Sequence, residues 1–288
     1  MPMLTRRKSL QLALGALAAG TRTSPAASPA PTIASRIIDT HTHFYDPTRQ
    51  QGVPWPPQNS PLYRPVYPKD WLAVAARHGI HETVVVEASK LLEDNDWILD
   101  LAAREKSIIG FVGNLQPADA EFAAHVKRLS ANPIFRGIRV SGAALLENIE
   151  KAEFIQGVKL LASMDLSLDV NGLRSLEPVA GLAKAVPDVR IMIDHCGGSG
   201  DAQKLKAEWK TGIAQAAAHP NVYCKVSALV EMTDSPYGQA PTDTAYYQPV
   251  LDHLWKVFGQ QRVVFGSNWP VSDKGASYDV LFKVVSEY

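Results

Sequence analysis

The sequence predicts an α/β fold, a closed (β/α)8 TIM-like barrel, and three observations carry that prediction. Apolar, β-branched runs alternate with helix-period segments eight times between residues 36 and 288. The chain has neither a glycine-rich dinucleotide fingerprint nor a P-loop lysine motif, which argues against an open nucleotide-binding sheet. Polar side chains recur at the C-terminal ends of the strand candidates, where a barrel of this kind keeps its chemistry.

The first strand is predicted from Arg36 to Phe44, on the apolar pair Ile37-Ile38. A long proline-rich loop, Tyr45 to Pro68, follows it and is read as a functional cover carrying Trp55. The spacing predicts a helix over Lys69 to His78, stopped by Gly79. Strand two is Thr83 to Glu87, helix two Asn95 to Lys106, strand three Ile108 to Leu115, helix three Asp119 to Ser130 and strand four Phe135 to Val140. A helix from Ile149 to Met164 leads to strand five, Leu166 to Val170, and a helix from Leu176 to Val186 leads to strand six, Val189 to His195. The remaining elements are a helix over Ala202 to Ala218, strand seven at Val222 to Ser227, a helix over Ala245 to Phe258, strand eight at Arg262 to Gly266 and a short helix over Tyr278 to Glu287. The shortness of that last helix leaves room for support from a second subunit in a homo-oligomer.

Residues 1–35 read as a separate segment. Thr5-Arg6-Arg7-Lys8-Ser9-Leu10 precedes a short apolar run, Leu12 to Ala19, and then a Ser/Pro/Ala-rich stretch. That order is the pattern of a twin-arginine-type signal peptide and leader, and it predicts a periplasmic or secreted protein with no membrane attachment once the signal is removed. Residues 36–288 are expected to form a single barrel domain. With 46% hydrophobic residues, 20% charged residues and a formal net charge of zero, the chain can fill a core, and no basic field points to nucleic acid. The expected partner is a small-molecule substrate. Two cysteines, Cys196 and Cys224, provide no disulfide framework.

The strand ends bring together His41 and His43 from strand one, Glu87 from two, Asn114 and Gln116 from three, Arg139 from four, Asn171 from five, His195 from six, Lys225 and Ser227 from seven and Asn268 from eight. Alternate residues of a strand face one way, so His41 and His43 present two imidazoles to one side. That is the geometry of a metal clamp, or of a base with its orienting partner. Arg139 is read as an internal salt bridge or as a donor to an anionic group; Lys225, as a partner of Glu87 or Asp39 or as a carbonyl polariser. Trp55 and Trp269 are placed near a ligand.

Ile38-Asp39-Thr40-His41-Thr42-His43-Phe44, Ile193-Asp194-His195-Cys196-Gly197 and Val264-Phe265-Gly266-Ser267-Asn268-Trp269-Pro270 together resemble the amidohydrolase superfamily, in the branch containing sugar-lactone and dicarboxylate-lactone hydrolases. The resemblance implies a hydrolase of a small carbonyl ester, most simply a lactone. It assigns catalytic roles to His41, His43, His195 and Asn268, with His195 activating water, and substrate contacts to Arg139, Lys225, Asn171 and Trp269. Family members commonly carry an aspartate where this chain has Asn268, and an amide has no useful basicity near neutral pH. The bridging acid or lysine at strand four and the histidine at strand five of two-metal members are also missing. The expectation is therefore either no required cofactor or a single divalent metal, Zn²⁺, on His41, His43 and His195. Two other functions stay open: a metal-dependent nonhydrolytic decarboxylase, and an exported binding protein with a degenerate site.

Overall fold

The computed structural model describes residues 36–288, which form one compact unit; the predicted signal and leader lie outside the described residues. All eight predicted strands are present. They are β1 (Ile38–Thr42), β2 (Glu82–Val86), β3 (Ile108–Gly113), β4 (Phe135–Ser141), β5 (Ser167–Asn171), β6 (Arg190–Ile193), β7 (Val222–Val226) and β8 (Val263–Phe265), paired in parallel in chain order. Helices α1 (Pro68–Ala75), α2 (Glu93–Ala102), α3 (Phe122–Ser130), α4 (Gly142–Asn148), α5 (Ala152–Ser163), α6 (Glu177–Ala185), α7 (Ala207–Ala217), α8 (Thr244–Phe258) and α9 (Tyr278–Ser286) fill the connections. No helix among the described residues is long and apolar enough to cross a membrane.

The predicted helix from Ile149 to Met164 is present as α5, and an additional helix that the sequence did not announce, α4, precedes it. Ser141 accepts a hydrogen bond from the Ala144 backbone N–H and so starts α4 directly after β4, and a turn through Lys151 then separates α4 from α5. The predicted start of α7 at Ala202 moves to Ala207. Asp201 there holds a turn instead, accepting from the backbone N–H groups of Gln203 and Asp234 and from the Tyr246 hydroxyl. Strand six ends at Ile193, before His195.

Alternation along the strands sorts the wall into two faces. Ile138, Val140, Leu168, Val170, Ile191, Ile193 and Cys224 are fully buried in the apolar core cluster that includes Val179, Leu182 and Ile213 of the helical layer. Arg139, Asp169, Met192 and Lys225 occupy the alternate positions, and Arg139 pairs in register with Asp169. Both cysteines are buried free thiols.

The ring closes between its first and last strands by backbone hydrogen bonds at the mouth. Asn268 donates its N–H to the His41 carbonyl at 2.8 Å, and His43 donates to the Trp269 carbonyl at 2.9 Å. Asp39 locks this seam from behind. Its carboxylate accepts from the backbone N–H of Ser267 (2.8 Å) and of His41 (3.2 Å), from Trp71 Nε1 in α1 (3.2 Å) and from the Tyr278 hydroxyl in α9 (3.1 Å). A break in register between Asp39 and Thr42 sets three residues against two of β2, and this bulge lets Asp39 reach the outer helices while the histidines turn inward. Replacing Asp39 by asparagine turns one accepting oxygen into a donor facing donors. A loss of about 2 kcal/mol of stability is expected, measured as a lowered urea midpoint.

Candidate active site

A ladder of buried charges occupies the barrel interior. Lys225 on β7 donates to Asp169 on β5 (2.9 Å) and lies 3.0 Å from Asp194, just past β6. Arg139 on β4 donates from Nε to Glu87 Oε1 at 2.9 Å and from Nη2 to the Glu87 carbonyl at 2.7 Å, and its Nη1 stands 3.8 Å from Asp194. Burial alone would oppose ionisation of Asp194. The Lys225 ammonium above all outweighs burial and holds its carboxyl well below the usual range.

The three strand-end histidines occupy different environments. His41 is fully buried, with its ring 4.9 Å from that of His43 and 4.6 Å from that of His195. Burial drives its pKa well below 6.5 despite Asp194, whose Oδ1 is 3.5 Å from Nδ1. The Nδ1 of His43 meets the Val86 carbonyl at 2.9 Å, and a carbonyl can only accept, so Nδ1 carries the proton and Nε2 is left as a lone pair 3.0 Å from the Asn268 side-chain amide. Burial, then Arg139, lowers the pKa of His43 to about 3. Burial likewise lowers that of His195 to about 4; its Nδ1 lies 2.8 Å from Ser227 Oγ, which also accepts from its backbone N–H. All three rings are therefore neutral at pH 7.

A cavity of about 310 Å³ opens over this group, lined by His43, Trp55, Arg139, Asn171, His195 and Asn268, with Glu87, Ala88 and Val271 at its wall. Trp55 stands edge-on to His43 at 5.9 Å, so the long loop after β1 reaches the site as expected. Two predicted substrate contacts lie elsewhere. Lys225 does not line the cavity because Asp169 and Asp194 hold it inside the barrel; its expected partners Glu87 and Asp39 bind Arg139 and the seam instead. Trp269 is buried and borders a different hollow, beside Arg64 and Asp273, while its carbonyl serves the seam.

Asp194 is a member of the site that strand periodicity does not reveal. Strict alternation sends it away from His195, yet His195 and Cys196 adopt left-handed backbone angles (φ 55° and 51°), and this turn lets both Asp194 and His195 approach His41. The acid immediately before the strand-six histidine was the available signal. The ligand atoms of His41, Asp194 and His195 all lie within 4.8 Å of one another. Among the described residues neither ring nitrogen of His41 and neither oxygen of Asp194 makes a well-directed hydrogen bond, although Lys225 stands 3.0 Å from Asp194 Oδ1 and neutralises its charge. Neutral imidazoles and an ionised carboxylate are the forms that bind metal, and three such donors fit one divalent ion with a position left open. The structure thus groups Asp194, in place of His43, with His41 and His195.

Comparisons with known proteins agree with this architecture. The chain is 32% identical to an L-fucono-1,5-lactonase of Burkholderia ambifaria over 243 residues, which cover 82% of this chain and 80% of that protein. It is 27% identical to an L-fucono-1,5-lactonase of Burkholderia multivorans, over 87% of this chain and 88% of the relative. Among solved structures, an amidohydrolase from Burkholderia multivorans with bound zinc superposes with a TM-score of 0.79 at 27% identity, covering 88% of this chain and 91% of the other. The Amidohydrolase family model matches residues 38–285, from the first residue of β1 into α9, and the chain belongs to the amidohydrolase 2 family.

Proposed function

We propose that this protein hydrolyses a small lactone of the sugar-acid type. The observation that supports this most is the cavity that gathers two neutral histidines, Arg139 and two side-chain amides, in a chain two of whose relatives are L-fucono-1,5-lactonases. Its volume suits one hydroxylated ring. Arg139, held by Glu87, keeps a planar donor group for a hydroxyl or carboxylate of the substrate, and the Asn171 and Asn268 amides suit ring hydroxyls.

In this reading the base is His43, where the resemblance had pointed to His195. Its Nδ1 proton is fixed by Val86, so Nε2 can take a proton from water as the water oxygen adds to the lactone carbonyl. The same proton then passes to the ring oxygen as the ester C–O bond breaks, giving the open hydroxy acid. His41, Asp194 and His195 would hold a single Zn²⁺, which when bound supplies Lewis-acid polarisation of the carbonyl. The 1–35 leader would deliver the enzyme to the periplasm.

Purified protein is expected to open a six-membered aldonolactone in a panel of aldonolactones and dicarboxylate lactones assayed with and without Zn²⁺. No turnover on any of them, or CO₂ release from a carboxylated substrate instead, removes this reading. His43→Gln should lower kcat by about 10²–10⁴ with little change in KM, whereas Arg139→Gln should act mainly by raising KM, by about tenfold. Elemental analysis should find up to one zinc per chain, lost in Asp194→Asn and retained in His43→Gln; zinc retained in Asp194→Asn would refute the assigned donor set.

A further inference from the structure

The amide of Asn268 spans two groups whose needs conflict. On one side is the Nε2 lone pair of His43, at 3.0 Å from Oδ1; on the other is Glu231, whose Oε1 accepts from Nδ2 at 2.7 Å. Both ends of this chain are fixed by the backbone. Asn268 sits at φ 60°, a left-handed conformation that asparagine tolerates better than most residues, and its N–H is tied to His41. Glu231 lies in the loop after β7, beneath the segment that follows β8. Gly275 permits this contact, since a Cβ there would stand 2.3 Å from the Val230 carbonyl oxygen and 2.7 Å from the Glu231 nitrogen. Bonds from Gly238 to the Lys274 carbonyl and from Ala240 to the Gly275 carbonyl strap the two segments together. Among the described residues the second carboxyl oxygen of Glu231 finds no hydrogen-bond partner, and it is buried.

We propose that Glu231 is a positioning residue of this active site, and that through the Asn268 amide it decides whether the His43 lone pair is covered or open to water. The proposal rests on the hydrolytic reading above for its catalytic consequence. A side-chain amide has one donating and one accepting end. A protonated Glu231 donates to Oδ1, which turns Nδ2 toward His43 and covers its lone pair. An ionised Glu231 requires Nδ2 for itself, as in the described arrangement, and leaves Oδ1 facing Nε2, lone pair against lone pair. Nε2 can then be satisfied only by a donor from the cavity, such as the attacking water. The Glu231 carboxylate thus stands a single amide away from His43.

Burial lifts the Glu231 carboxyl to about 7, so the two settings exchange near neutrality. The groups that face it are Lys274, which favours the ionised form, Asp273, which opposes it, Tyr247 of α8 and the Cys196 thiol; burial raises the last two and keeps them neutral. Because the open setting is the ionised one, kcat/KM should rise with pH, by about tenfold between pH 6 and pH 8.

The test is a pH titration of the ¹⁵N-labelled protein by NMR, following the Asn268 side-chain NH₂, alongside kcat/KM for the lactone. The amide resonances should move with a midpoint near 7, keep moving in Asp273→Asn and stay still in Glu231→Gln. Glu231→Gln should also flatten the pH profile at low activity, and Glu231→Gln/Asn268→Asp, which puts a carboxylate directly on His43, should regain activity. An amide that does not titrate, or that still titrates in Glu231→Gln, overturns the role of Glu231 whatever the substrate proves to be. An amide that titrates as expected while no lactone is opened supports the positioning role and removes the hydrolytic reading alone.

Discussion

The ammonium of Lys225, enclosed by the barrel wall, sets the terms for the rest of the site. A buried cation with no partner costs several kcal/mol, so the fold must bring carboxylates to it, and Asp169 and Asp194 are the two that arrive. Holding Asp194 ionised places a fixed negative charge against His41, while Arg139 is anchored by Glu87 on the opposite side. β2, β4, β5 and β7 and the turn after β6 each contribute one member. A slip of a single residue in any of them would reverse which face its charge occupies and leave the others unpaired.

That dependence explains what could be read from the sequence and what could not. The eight strands are legible because parallel strands buried on both faces form short β-branched runs, as at Thr83 to Val86 and Ile108 to Val112. A charge inside such a run, Lys225 or Arg139, announces that it needs a partner. The partner's identity is a matter of the ring's geometry, so Lys225 could not be assigned to Asp169 and Asp194 from spacing. Helix α4 escaped notice because its signal is one capping serine before seven residues, with too few turns to show a period. Asp194 was hidden by the left-handed turn at His195 and Cys196, which breaks the alternation used to orient side chains. Glu231 lies in a loop, at no strand end, and nothing in its local sequence marks it.

Asn268 can be understood from both its backbone and its side chain. Its left-handed φ restricts the residue types that fit without strain, and the end of β8 needs a side chain that can both accept and donate between His43 and Glu231. Asparagine meets both conditions. Asn268 thus joins His43 to the Glu231 carboxyl through one amide.

The seam between β1 and β8 has a consequence for how the enzyme comes into being. The bonds that close the ring are made by His41, His43, Asn268 and Trp269, and their side chains or immediate neighbours also make the site. Closing the barrel brings together residues that stand more than two hundred positions apart in the chain. A chain without its last strand lacks the seam bonds to the His41 carbonyl and from the His43 N–H. On the hydrolytic reading proposed above, catalysis would then depend on β8 having joined β1.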